Sequence, residues 1–143
     1  MRIGAGLVLF EAGASSATDV TGFGLSGHAL EMARGADLCL TIDSAALPQL
    51  PGAQTLCGAG FTCGGTKANA RHTSGRLQFA DHLGEDMIGL IHDPQTSGGL
   101  LVAVAPERCD ELCEQALAHA ALCAAVIGEV STRAPDDPYV AFV

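Results

Sequence analysis

Ala17-Thr18-Asp19-Val20-Thr21-Gly22-Phe23-Gly24-Leu25, closed by Gly27 and His28, sets one carboxylate among hydroxyls and glycines just ahead of an apolar-periodic segment. Leu25, Ala29, Met32 and Ala33 recur at helical spacing, and Gly35 predicts where that helix stops. Ser15 to Phe23 then reads as the loop that enters it. Asp19 supplies hard oxygen donors of the kind Mg²⁺ takes. The glycines let backbone N–H groups approach an anion with no Cβ in the way, and the helix adds its positive N-terminal end. These are the ingredients of a metal–phosphate corner. A second reading stays open, because an Asp before a helix also serves as an N-cap. Thr18 and Thr21 divide the same way, between a metal's waters and the helix end.

Asp93-Pro94-Gln95-Thr96-Ser97-Gly98-Gly99-Leu100-Leu101 repeats the pattern: an acid, two hydroxyls, two glycines and then an apolar strand over Leu100 to Ala105. As a turn, Asp-Pro opens the bend and the glycines carry the backbone into the strand. As a ligand loop, Thr96, Ser97 and the amides of Gly98 and Gly99 face a cleft. The two readings combine, with the glycines serving geometry and the hydroxyls serving the cleft.

Working outward, Leu7 to Gly13 reads as the end of a helix and Asp37 to Asp43 alternates as a strand. Pro48 and Pro51 punctuate, and a short helix over Ala53 to Ala59 leads into the glycine-rich Gly60 to Gly65. Arg76 to Ala80 reads as a short strand, whereas periodicity leaves Glu85 to His92 open between helix and strand. Pro106, followed by Glu107, Asp110 and Glu111, opens a helix to His119. Strands over Ala124 to Val130 and Tyr139 to Val143 close the chain, separated by the turn at Arg133 to Pro138. Helices and strands that alternate in this way predict a single layered α/β domain over residues 1–143.

Composition narrows the function classes. With 143 residues and 48% hydrophobic content, the chain builds one core and no more. A formal net charge of −9, with seven Lys and Arg scattered along the sequence, excludes a nucleic-acid surface. Ile3 to Phe10 is too short and too interrupted for a signal peptide, and nothing approaches the roughly 18 apolar residues of a membrane span. A cytoplasmic protein is expected. The six cysteines contain no C-x-x-C pair. Cys109 and Cys113 fall at i and i+4, and all six read as small buried or half-buried hydrophobes in preference to zinc or redox ligands. His28 reads as a partly buried imidazole, and His72, His82, His92 and His119 lack metal-ligand spacing.

The two runs, together with Gly64-Gly65-Thr66-Lys67-Ala68-Asn69, carry a resemblance. The second run matches a D-P-Q-T-S-G-G-L-L signature residue for residue. The first is similar to a domain-opening motif, and the third resembles a G-G-T-x-x-N stretch. From about Ala12 to Val130 the chain resembles the C-terminal domain of selenophosphate synthetase (selenide, water dikinase), in the superfamily of aminoimidazole-ribonucleotide synthetase. The resemblance implies a mixed sheet flanked by helices, partly ferredoxin-like. It implies that Asp19 is a Mg²⁺ ligand and that Thr18, Thr21, Thr66, Asn69, Thr96, Ser97, Gly98 and Gly99 line a cleft for the substrate ATP. Lys67 becomes a phosphate contact under it and is otherwise a solvated lysine. The implied reaction converts ATP, selenide and water to selenophosphate, AMP and phosphate.

The same family carries an N-terminal ATP-binding domain that holds its reactive cysteine or selenocysteine, a lysine and further aspartates. None of that text precedes Asp19, so the expectation is a C-terminal half with no catalytic residue of its own and the N-terminal domain as its partner. An apolar face normally covered by that partner predicts self-association as a homodimer. The alternative is a stand-alone binding or assembly module with the same fold. A relative acting on purine or thiamine precursors fits the fold but not the motif text.

Overall fold

The computed structural model describes residues 13–143. The helix expected to end at Gly13 lies outside them.

Strand β1 (Ser16–Asp19) enters helix α1 (Gly24–Ala36), which leads into β2 (Leu38–Ile42). A 3-10 turn at Ser44–Ala46 and the short helix α2 (Ala53–Gly58) precede α3 (Gly64–Thr73), β3 (Leu77–Phe79) and α4 (Glu85–His92). After β4 (Leu100–Ala103), a 3-10 turn at Pro106–Arg108 opens α5 (Cys109–Ala118), and β5 (Gly128–Thr132) and β6 (Val140–Phe142) finish the chain.

A four-stranded sheet runs in the order β3-β6-β2-β5. Its β2–β6 and β6–β3 pairs are parallel and its β2–β5 pair is antiparallel, so the sheet is mixed, as the resemblance implies. Leu40, Ile42, Val140 and Phe142 form its buried rows. Ala29, Leu30 and Ala33 of α1 and Met87 and Ile91 of α4 complete the core. Phe79 stacks on Phe142 with ring centroids 5.2 Å apart. The separate ribbon β1–β4 is antiparallel and adds Val20 and Leu101 to the same core. No helix among the described residues is long and apolar enough to cross a membrane.

Four local expectations change. Ser15 to Phe23 is not all loop, since Ser16–Asp19 pairs with Leu100–Ala103 and sets Asp19 opposite Leu100. Its four residues have no apolar alternation, and the neighbouring strand makes them extended. Helix α1 runs past Gly35 and ends at Asp37, whose φ of 53° is left-handed and whose N–H reaches the carbonyls of Ala33 and Arg34. Asp tolerates that conformation, and Arg133 Nη2 donates to its Oδ1 at 2.9 Å. The glycine-rich stretch continues into α3. The strand expected over 124–130 lies at Gly128–Thr132, in register with β2 through Leu40 and Val130.

Leu30 is 2% exposed at the centre of the core, whereas Leu56 is 53% exposed. Leu30→Ala should cost about 2–5 kcal/mol in chemical denaturation, and Leu56→Ala should stay within about 0.5 kcal/mol. Equal losses would show that the core is not centred on α1.

Candidate functional site

The two runs singled out in the sequence meet, and the third joins them. Val20 N donates to Gly99 O at 2.9 Å, and the amides of Gln95 and Gly24 both reach Thr21 O at 3.0 Å. The entry to α1 therefore lies against the exit from α4. Gly24 has φ +66°, and a Cβ there would stand 2.9 Å from the carbonyl oxygens of His92 and Asp93. No side chain fits. At Gly98 a Cβ would collide with the carbonyl oxygen of Val20.

Helix α3 closes this corner from the side. Asn69 Nδ2 donates to Gly22 O and to His92 O, each at 2.9 Å. Thr66 Oγ1 donates to Asp93 Oδ1 at 2.7 Å. Both residues are 6% exposed. Their side chains are thus engaged with the backbone and carboxylate of the two runs. Lys67, between them in sequence, is exposed.

The first run distributes its polar groups unevenly. Asp19 is exposed and its carboxylate has no hydrogen-bond partner among the described residues. The N-cap position of α1 belongs to Phe23, and no side chain caps it. The capping alternative for Asp19 is thereby removed. Thr18 Oγ1 donates to Asp19 O at 3.3 Å. Thr21 Oγ1 pairs with His28 Nε2 at 3.1 Å, so it does not cap either. His28 Nδ1 lies 3.3 Å from Glu31 Oε2 without hydrogen-bond alignment. Phe23 is half exposed, tilted against His28 and stacked on His72.

In the second run Thr96, Ser97, Gly98 and Gly99 are exposed, and neither hydroxyl has a partner among the described residues. Asp19, Thr96 and Ser97 are therefore exposed polar side chains of the corner without partners among the described residues. Gly98 and Gly99 carry the backbone from those hydroxyls back beside Val20.

One pair escaped sequence reasoning. Ser26 Oγ and His92 Nδ1 are 2.8 Å apart and buried, tying α1 to the end of α4. The only hint was that His92 directly precedes Asp93. Burial pushes the His92 imidazole below its ordinary pKa.

Among the described residues no three of His, Cys, Asp and Glu gather to hold a metal ion. Asp19 thus stands as a lone carboxylate among the described residues. All six cysteines are free. Cys63, exposed at the N-cap position of α3, has its thiol pKa lowered, first by the Thr66 amide and then by the Thr66 hydroxyl and Gly65 amide. A cavity of about 510 Å³ lined by Arg76, Gln78, Arg133, Asp137 and Tyr139 shares no residue with the corner.

Comparison with known proteins places the chain. The family described as "AIR synthase related protein, C-terminal domain" matches residues 2–136. A selenide, water dikinase from Nitratidesulfovibrio vulgaris (strain DSM 19637 / Miyazaki F) is 44% identical over 107 residues, covering 75% of this chain and 31% of the relative. The selenide, water dikinase of Pseudomonas straminea is 42% identical over 123 residues, covering 86% and 34%. That of Caldanaerobacter subterraneus subsp. tengcongensis is 35% identical over 133 residues, covering 93% and 38%. The chain spans about a third of the length of these relatives.

The buried His92 sets a pH response. The folded chain keeps this imidazole neutral below the pH, about 6.5, at which an unfolded one takes up its proton. Acid then favours unfolding, so the contribution is complete above that pH and fades as pH falls. The denaturation midpoint should drop between pH 7.5 and 5.5, and His92→Gln should flatten that part of the profile. An unchanged slope in the variant would assign the acid sensitivity to other groups.

Proposed function

Because the chain belongs to the family of AIR synthase related C-terminal domains, we propose that it is the C-terminal domain of a selenophosphate synthetase and forms one wall of its Mg–ATP cleft. The reaction served is the conversion of ATP, selenide and water to selenophosphate, AMP and phosphate. The observation that carries this reading is the corner itself: one unpaired carboxylate and two unpaired hydroxyls, exposed on two runs that the fold brings together.

Asp19 would hold Mg²⁺ as one ligand of a set completed by carboxylates from an N-terminal ATP-binding domain. When bound, the ion neutralises charge that grows on the transferring phosphoryl group. Thr96 and Ser97 donate hydroxyl hydrogen bonds to phosphate oxygens, and the amides of Gly98 and Gly99 add donors without side-chain bulk. Thr18 stands next to Asp19 and serves the metal's waters. Thr21, Thr66 and Asn69 line the same corner from behind, Thr21 through His28, Thr66 through the Asp93 carboxylate and Asn69 through backbone carbonyls. A chain carrying −9 repels a polyphosphate, so the divalent ion is needed before these donors can act. The six free thiols fit a reducing cytoplasm.

Self-association follows from a second feature. Leu50 and Phe61 are 78% and 76% exposed and flank Leu56. Phe61 N donates to Leu56 O, and Ala53 N to Leu50 O, drawing these residues into one hook. Residues 44–66 carry no charged side chain. For two copies of an anionic chain an uncharged stretch lowers the repulsion between like surfaces, with Asp86 the carboxylate beside it. A two-fold homodimer through this hook is the proposed assembly. Light scattering should show mass rising towards a dimer with concentration, and Phe61→Glu should abolish the rise. A mass that stays monomeric throughout would sink the proposal.

The isolated chain should consume no ATP in response to selenide, and AMP formation by it would overturn the division of labour. Combined with the N-terminal part of a selenide, water dikinase, it should bind Mg–ATP in calorimetry, and Asp19→Asn should remove most of that heat. Since the Asp19 carboxylate has no hydrogen-bond partner among the described residues, the variant's stability should stay within about 1 kcal/mol of the parent. A large stability loss with binding intact would make Asp19 a structural residue.

A further inference from the structure

Thr66 and Asn69 sit one helical turn apart on the same face of α3, a spacing that turns both side chains inward while Lys67 and Ala68 stay exposed. What they face is specific. The Asn69 amide has two N–H bonds, and each ends on a backbone carbonyl, Gly22 O in the first run and His92 O one residue ahead of the second, both at 2.9 Å. His92 is the last residue of α4, so its carbonyl has no partner within its own helix. Gly22 lies between Asp19 and the start of α1. Thr66 Oγ1, at 2.7 Å from Asp93 Oδ1, fixes the head of the second run separately. Thr73 Oγ1 donates back to Asn69 O at 3.0 Å and anchors the helix beneath them.

We infer that Asn69 and Thr66 are positioning residues: α3 sets where the carboxylate-bearing first run stands relative to the hydroxyl-bearing second run, and neither residue touches the ligand. Each residue holds a different part. Thr66 fixes only the second run, whereas Asn69 fixes both, because one nitrogen bridges them. The Asn amide is matched to this task. Both acceptors are carbonyls, so the group between them must donate twice. A carboxylate of the same shape offers only acceptors, and an alkyl group of the same size leaves two carbonyls unpaired in a buried place.

That the positioned groups bind Mg–ATP rests on the function proposed above; the latch itself is tested without any ligand. Amide hydrogen exchange is measured on the full 143-residue chain and on Asn69→Leu, Asn69→Asp and Thr66→Val, as protection relative to the parent at each pH. Thr66→Val should raise exchange at Gln95, whose amide donates to Thr21 O, and leave Gly24 and Gly27 unchanged. Asn69→Leu should raise it in both runs, by about tenfold for each hydrogen bond lost, with the amides of β2 and β6 unaffected. Asn69→Asp should behave like Asn69→Leu at neutral pH and recover protection as pH falls, because a protonated carboxyl donates one bond. A residue that merely fills space would give no such pH dependence. The inference is overturned if Asn69→Leu loosens one run only, if loosening spreads evenly through the sheet, or if Asn69→Asp ignores pH. Should Asn69→Leu fail to fold, the Asn69→Asp pH series decides. If exchange behaves as stated while Mg–ATP binding is absent, the latch stands and the nucleotide reading falls.

Discussion

The start of α1 lies so close to the end of α4 that only a residue without a side chain fits between them. Gly24, with φ +66°, is that residue, and the carbonyls of His92 and Asp93 are what it meets. The approach lets Ser26 reach His92 and lets Gln95 donate to Thr21 O. It also brings Gly22 O and His92 O within reach of a single Asn69 nitrogen. The ribbon of β1 and β4 then extends the same junction outward, placing Asp19 opposite Leu100. Any larger residue at position 24 would push the two helix ends apart and undo all of these contacts together.

Polar groups in this corner fall into two populations, and burial separates them. Ser26, Thr66, Asn69 and His92 are buried and hydrogen-bonded to one another's runs, as buried polar groups must be to offset lost hydration. Asp19, Thr96 and Ser97 are exposed and uncommitted. Rigid, satisfied groups behind and free donors and acceptors in front are the arrangement that the proposed ligand surface requires.

The sequence was legible where hydrophobic periodicity operates. Helix α1 and strand β2 announced themselves through Leu25, Ala29 and Ala33 and through Leu40 and Ile42, all of which face the core. Helix α3 did not, because the face it buries is Thr66, Asn69 and Thr73. A polar inner face produces no apolar stripe, and two glycines at its start read as loop. For the same reason the three runs could be marked as chemically interesting while the roles of their members stayed open. Exposure and hydrogen bonding, which distinguish Asp19 from Asn69, are properties of the folded chain. The Ser26–His92 pair, far apart in sequence, had no local signature at all.

The most direct test of this corner as a ligand surface is a nuclear magnetic resonance titration with Mg–ATP of the ¹⁵N-labelled chain combined with the N-terminal part of a selenide, water dikinase. The expected result is that the amides of Asp19, Gly22 and Ser97 to Gly99 shift together along one binding curve, with Asn69's backbone unmoved. Shifts confined to the cavity around Arg76, Arg133 and Tyr139, with the corner silent, would contradict it.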